Sequence, residues 1–353
     1  MAGAERFEVA DLGAFARAVL EAAGLEAPLA AATAQTLIEG DLLGHDTHGL
    51  ALLERYVAAL ASGGMRCAGS PRVLSAAGVA RLWDGERLPG PWLVRSGLEE
   101  LMPVARRFGL ATLVIRRSHH IACLATYLVQ AASEGLVMLL ASSDPAVHSV
   151  APHGGTRGVF TPNPLAAGLP TSGDPILIDI SSSWTTNGMS ARLHQNREQF
   201  DMACLLDATG LPSADPAVLF TEPPGTILPL GGLLAGHKGF ALALLVEALT
   251  GGLAGHGRAD PAEGWGATVF MALIDPAAFG GLAEFKRQMD TLVERCHENP
   301  PRPGFERVRM PGERGLGLWR EQERLGIALS DPLAAALRAL GERYARPFPA
   351  ARK

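Results

Sequence analysis

Residues 44–50, GHDTHGL, gather two histidines, an aspartate and a threonine between two Ala/Leu-rich stretches. On a helical turn His45 and His48, three apart, would share a face. Asp46 or Thr47 suits the cap of a third helix, yet a cap needs no histidine. An imidazole beside a hydroxyl and a carboxylate is equipped to move a proton near neutral pH. A second cluster, RRSHHIACL at 116–124, ends an apolar run in Ser118-His119-His120 and passes at once into helical sequence. Strand-to-helix corners of this kind display chemistry in α/β folds, and their helix amides receive phosphate. A third segment, ILIDISSSWTTNG at 176–188, delivers Asp179, Ser182 and Ser183, which are partners for ribose or phosphate oxygens. A fourth, PLGGLLAGHKGF at 229–240, brings Lys238-Gly239 on a glycine-rich loop into a helix start, a place that favours anions.

The elements that must position these groups follow from apolar periodicity. FEVADLGAFARAVLEAAG, APLAAATAQTLIEGDLLG and THGLALLERYVAALASGG each read as a helix stopped by glycine. From about residue 76 strands and helices alternate: GVARLWDGE, then a helix over 91–109, the strand LATLVIRRS, a helix over 120–135 and the strand LVMLLASS. Residues 142–235 are loop-rich around the strand ILIDISSS, and an apolar helix, the strand ATVFMALID and an amphipathic helix follow. The expected class is α/β, with residues 1–75 a helical part and 76–320 an α/β cofactor-binding domain. Residues 321–353 form a helical tail that packs back on the first part.

Composition narrows the function. With 353 residues, 48% hydrophobic and 19% charged, the chain is globular rather than disordered. A net charge of −5 without a basic stripe argues against nucleic acid or an anionic membrane as partner. There is no leader-like opening, and no run of about 18 uninterrupted apolar residues, so a cytoplasmic location is expected. The four cysteines stand singly, without a CxxC pair, as reduced thiols do. No G-x-G-x-x-G follows a strand, and the 231–239 glycines fail as a P-loop because His237 separates Gly236 from Lys238.

Taken in order, these segments resemble the type-2 malate/L-lactate dehydrogenase family, which also holds ureidoglycolate and sulfolactate dehydrogenases and cyclic-imine reductases. GDLLGHDTHGLALLERY is similar to its D-S-H-G segment and RRSHHIACLATY to N-S-N-H-F-G-x-x-G-Y-Y. FTPNPLAAGLPT, IDISSSWTTNG and the Lys238 segment match in register, and RVRMPGE looks like its late P-G-E loop. The resemblance implies a non-Rossmann nicotinamide-binding α/β fold and a homodimer using NAD or NADP. It implies proton transfer by His120 first and by Thr47-His48 second. Cofactor contacts would come from His120, Ile121, Ala122, Cys123, Leu124, Asp179, Ser182, Ser183, Lys238, Gly239 and Glu313. Substrate contacts would come from Thr161, Asn163 and an arginine.

Departures from the pattern bear on the substrate. Leu52 stands where the family carries its carboxylate-gripping arginine, Pro162 where it has a threonine, and Met189 where the imine reductases have an aspartate. Arg55, Arg157 and Arg192 are replacements for the missing cation, with Arg192 taken as the substrate contact. The expected reaction is interconversion of a 2-hydroxy acid and its 2-keto acid by hydride transfer. The alternatives are reduction of a cyclic imine such as pyrroline-2-carboxylate, a metal-dependent hydrolase using His45, His48, His119 and His120, and a nucleotide-binding protein without turnover. No resident metal is expected.

Overall fold

The computed structural model describes residues 5–261 and 263–352. At the start, α1 (Val9–Ala22) and α2 (Ala27–Leu42) follow the expected pattern, with a proline in the first turn of α2. The third helix departs from it. A 3-10 turn at Leu50–Leu52 leads into α3 (Leu53–Ala61), and residues 44–49 form a turn instead of a helix start. Gly44, at φ +79°, ends α2 in the left-handed region. The buried Asp41 carboxylate then takes the Leu50 amide at 2.8 Å, capping the next turn from nine residues upstream.

A seven-stranded mixed sheet carries the rest. Its strands are β2 (Arg72–Ala77), β3 (Ala80–Asp84), β4 (Leu110–Ser118), β5 (Val137–Ser143), β6 (Pro164–Leu169), β7 (Ile176–Ser181) and β11 (Ala267–Ile274), in spatial order 2-3-4-11-5-6-7. With α4 (Gly90–Phe108) and α5 (Ala125–Ser133), strands β3, β4 and β5 run in one direction, as alternating units do. However, β11 inserts between β4 and β5, antiparallel to both. β11 is buried at six of its eight positions, as a central strand must be.

Smaller elements complete the chain: α6 (Asn187–Asn196), a three-stranded sheet of β8 (Leu205–Leu206), β9 (Pro212–Ser213) and β10 (Thr226–Ile227), α7 (Gly232–Glu247), α8 (Leu282–His297) and α9 (Glu313–Leu325). At the end β12 (Ile327–Ala328) pairs with β1 (Arg6–Phe7), and α10 (Asp331–Arg343) lies against α1. Phe348 beyond it meets Phe7 and Phe15 edge-on, each at 5.1 Å. One apolar core runs from Leu12, Val19 and Leu37 through Leu113, Tyr127 and Met271. α7 and its extension to Gly252 are long and apolar enough to cross a membrane by length and composition alone, although its glycines and charged residues broke the run in the sequence.

Candidate active site

His48 comes from the Gly44–Gly49 turn and His120 from the loop after β4. Their rings stack at 5.8 Å, 27° from parallel. The turn is held by the His48 amide donating to the His45 carbonyl at 2.7 Å. Thr47 Oγ1 lies 2.9 Å from His48 Nδ1, the expected hydroxyl-imidazole pair. Asp46 is no helix cap; it binds Arg192 of α6 at 2.8 Å. α6 also approaches Thr47 at Gly188, where a Cβ would sit 3.6 Å from the Thr47 Cβ.

The loop from His119 to Leu124 is not helical, contrary to the reading from periodicity, because α5 begins at Ala125, whose amide is capped by Asp179 Oδ2 at 3.0 Å. Ala122 within it holds φ +58°, left-handed backbone that an L-residue adopts at a cost of about 1–2 kcal/mol. That conformation turns the Ala122 amide onto His120 Nδ1 at 3.2 Å. An amide can only donate, so Nδ1 is the acceptor and the neutral ring carries its proton on Nε2. Tyr56 of α3, fully buried, sets its hydroxyl 3.2 Å from the same Nδ1 and donates to the His120 carbonyl at 3.0 Å.

Burial lowers all three neighbouring imidazoles. His48 falls to about 4, with His45 adding to burial and Asp46 opposing it. His119 falls to about 3 through burial and then the charges of Arg87 and Arg55. His120 is pushed well below the usual histidine range by burial, then by His48, His119 and Arg55. At neutral pH the pair is therefore uncharged and able to accept a proton.

Two neighbours went unnoticed in the sequence. Trp265, in the loop before β11, stacks on His120 at 4.6 Å, and the Arg55 guanidinium covers its ring at 3.7 Å. Only its glycine neighbours marked that tryptophan, and nothing linked it to a histidine 145 residues away. Gly90, opening α4, is the other: a Cβ there would lie 2.4 and 2.5 Å from the His119 and His120 carbonyl oxygens.

The remaining expected residues fall into two sets. Asp179 joins the histidine loops, with Cys123 Sγ and His45 beside it. Ile121, Cys123 and Leu124 are buried, and Lys238 is exposed with no bonded partner among the described residues. Lys238 lies one turn after the non-helical Ala235, so the glycine-rich loop is a kink inside α7. Gly239 packs on backbone, where a Cβ would meet Leu230 N at 2.3 Å. The second set is spent internally. Thr161 donates to Asn163 Oδ1 at 2.7 Å, and Asn163 Nδ2 donates to Glu247 at 2.9 Å. Ser182 and Ser183 donate to the carbonyls of Pro162 and Thr185. Glu313 accepts the Met310 amide at 2.9 Å and pairs with His297 and Arg307, beside a groove of about 430 Å³. The four histidines of the hydrolase reading do not assemble a ligand set among the described residues; the group of close donors is His45, Cys123 and Asp179.

A mixed, non-Rossmann α/β sheet thus brings a stacked, uncharged imidazole pair together from the turn after α2 and the loop before α5. The chain belongs to the malate/L-lactate dehydrogenase family, whose profile matches residues 7–338. It is 30% identical over 336 residues to an L-lactate dehydrogenase of Cupriavidus necator, covering 89% of this chain and 95% of that one. It is 33% identical over 316 residues to a (2R)-3-sulfolactate dehydrogenase (NADP(+)) of Chromohalobacter salexigens, covering 86% and 89%. Malate dehydrogenase from Pyrococcus horikoshii superposes with a TM-score of 0.89 at 26% identity, over 99% of this chain and 98% of that chain.

Proposed function

We propose that the protein is a nicotinamide-dependent oxidoreductase, using NAD or NADP, that interconverts a 2-hydroxy acid and its 2-keto acid in the cytoplasm as a homodimer. The observation that carries this reading is the stacked, uncharged His48–His120 pair, with the His120 ring proton set on Nε2 by the Ala122 amide and the Thr47 hydroxyl against His48 Nδ1.

The surroundings fit such a cofactor. The left-handed Ala122 opens the loop before α5, Asp179 keeps one carboxylate oxygen free, and Lys238 is a cation without a bonded partner among the described residues. Asp179 would hold ribose hydroxyls and Lys238 a phosphate. The bound nicotinamide supplies the hydride acceptor or donor. The Arg192 guanidinium, at the Thr47–His48 turn, would take the substrate carboxylate, because its solvent-exposed pairing with Asp46 is weak. Thr161 and Asn163 act by holding their loop.

Tautomers divide the proton work. His120, with Nε2 protonated, donates a hydrogen bond to the substrate oxygen. His48 can donate its Nδ1 proton to Thr47, which frees Nε2 to accept the hydroxyl proton. This reverses the order expected from the sequence, in which His120 came first.

The test compares His48→Gln with His120→Gln on malate, lactate, sulfolactate and pyrroline-2-carboxylate with both cofactors. His48→Gln should cost about 10²–10⁴ in kcat for oxidation, the usual worth of a general base. His120→Gln keeps an N–H donor and should lose less. Near-normal turnover in both variants overturns the assignment, and turnover confined to the cyclic imine replaces the substrate class.

A further inference from the structure

One donor atom each of His45, Cys123 and Asp179 lies within 4.8 Å of the other two. The three residues come from separate segments: the turn that carries His48, the loop that carries His120, and β7. No hydrogen bond joins one to another, and no ion pair joins His45 to Asp179, among the described residues, so the three donor atoms lie close together without being bonded to each other. Among the described residues Asp179 is bound through Oδ2 alone, to the Ala125 amide. Burial destabilises both the carboxylate and the Cys123 thiolate, and they stand together at the start of α5. A cation between them would compensate both.

We propose that His45, Cys123 and Asp179 form a site for a thiophilic divalent cation of the zinc type, and that occupancy blocks the cofactor. The chemistry matches: one imidazole nitrogen, one thiolate sulfur and one carboxylate oxygen leave a fourth tetrahedral position to water. Ligand-to-ligand edges of a zinc tetrahedron are about 3.5 Å, so closing the present spacing requires a movement of about an ångström. On binding, the thiol releases its proton to solvent and the ion takes the sulfur lone pair, with no change of oxidation state. The ion would tie the His48 turn to the His120 loop and take the carboxylate assigned above to ribose. The ion site rests on its own donors; its competition with the cofactor rests on the proposed function.

The experiment titrates metal-free full-length protein with Co²⁺ and follows the thiolate-to-cobalt charge-transfer absorption, then displaces the cobalt with Zn²⁺. One equivalent should bind, with an absorption that Cys123→Ser abolishes. His45→Gln and Asp179→Asn should each weaken binding by about 100-fold. Circular dichroism and the melting temperature check that each variant is folded. Absence of the absorption in the wild type, or its persistence in Cys123→Ser, overturns the site. Saturating NADH and NADPH should each suppress the absorption. If the absorption appears in full with cofactor demonstrably bound, the competition is wrong and the ion site stands. If neither nucleotide binds metal-free protein, the proposed function fails instead.

Discussion

His120 is held by more groups than it exposes: Ala122 and Tyr56 at Nδ1, His48 and Trp265 against its ring. Tyr56→Phe removes one of these while leaving the ring packed. With its proton given to the His120 carbonyl, the hydroxyl oxygen faces Nδ1 as an acceptor and favours the protonated ring. The variant's His120 should therefore lose basicity, and the lost hydrogen bond should cost about 0.5–1.5 kcal/mol of stability. Chemical denaturation and the pH dependence of the reductive rate would read both; an unchanged profile would mean that the hydroxyl serves only the His120 carbonyl. For the proposed oxidation, with His48 as the base, the sign follows from that ring. Its pKa is lowered from 6.5 to about 4, and the base must be neutral, so activity persists through neutral and mildly acidic pH and falls near pH 4. An acid limb of kcat/KM near 6.5 would contradict a buried base. Thr47, His48 and His120 were legible because their side chains differ from everything around them. Tyr56 and Trp265 were not, because each looks like ordinary core or loop until the fold sets it beside a histidine. Cys123 was named only as a cofactor contact implied by the resemblance, not as a neighbour of His45.

At the level of elements, glycines outside the positive-φ region keep the two histidine loops in place through close approach. The Gly49 Cα lies so close to Asp41 that a Cβ would sit 2.0 Å from Oδ1, and the buried Asp41 cannot swing away without releasing the Leu50 amide. Gly90 meets the carbonyls of His119 and His120, which are backbone and cannot move alone. Gly90→Ala should therefore cost about 1–3 kcal/mol of stability, and lower kcat by about 10²-fold through displacement of the imidazole. Denaturant unfolding and steady-state kinetics on the same sample would check this, and native turnover in a folded variant would show that the corner can yield. The strands β4, β5, β7 and β11 could be read from apolar runs within a residue or two. The insertion of β11 between β4 and β5 could not, since period and composition say nothing about which strand a distant one pairs with. α9 was missed because its face is mostly polar and its start, Gly312-Glu313, reads as a loop.

For the molecule as a whole, α7 carries large apolar side chains on its outer face. Leu234 is 96% exposed, and Leu244, Leu245 and Leu253 are each about half exposed. Exposed positions 241, 244, 245 and 248 recur at helical spacing in the regular part of α7, with Leu233 and Leu234 exposed before the kink at Ala235. Contiguous apolar surface of this kind marks an interaction face in a globular protein. A second copy of the chain is the occupant consistent with the proposed homodimer, and a helix packed on its symmetry mate buries the same leucines twice. Lys238 rides on the same helix, one turn beyond Leu234, so association would also fix the kink at Ala235 and the lysine proposed for phosphate. Leu234→Glu combined with Leu245→Glu should convert dimer to monomer in light scattering, because each charge would be buried twice without a partner. The monomer should keep its fold by circular dichroism, since neither side chain belongs to the core, while its KM for the cofactor rises as Lys238 loses its setting. A doubly substituted chain that still sediments as a dimer would place the interface on another face. A wild type that is monomeric at micromolar concentration would leave the α7 leucines to a different partner.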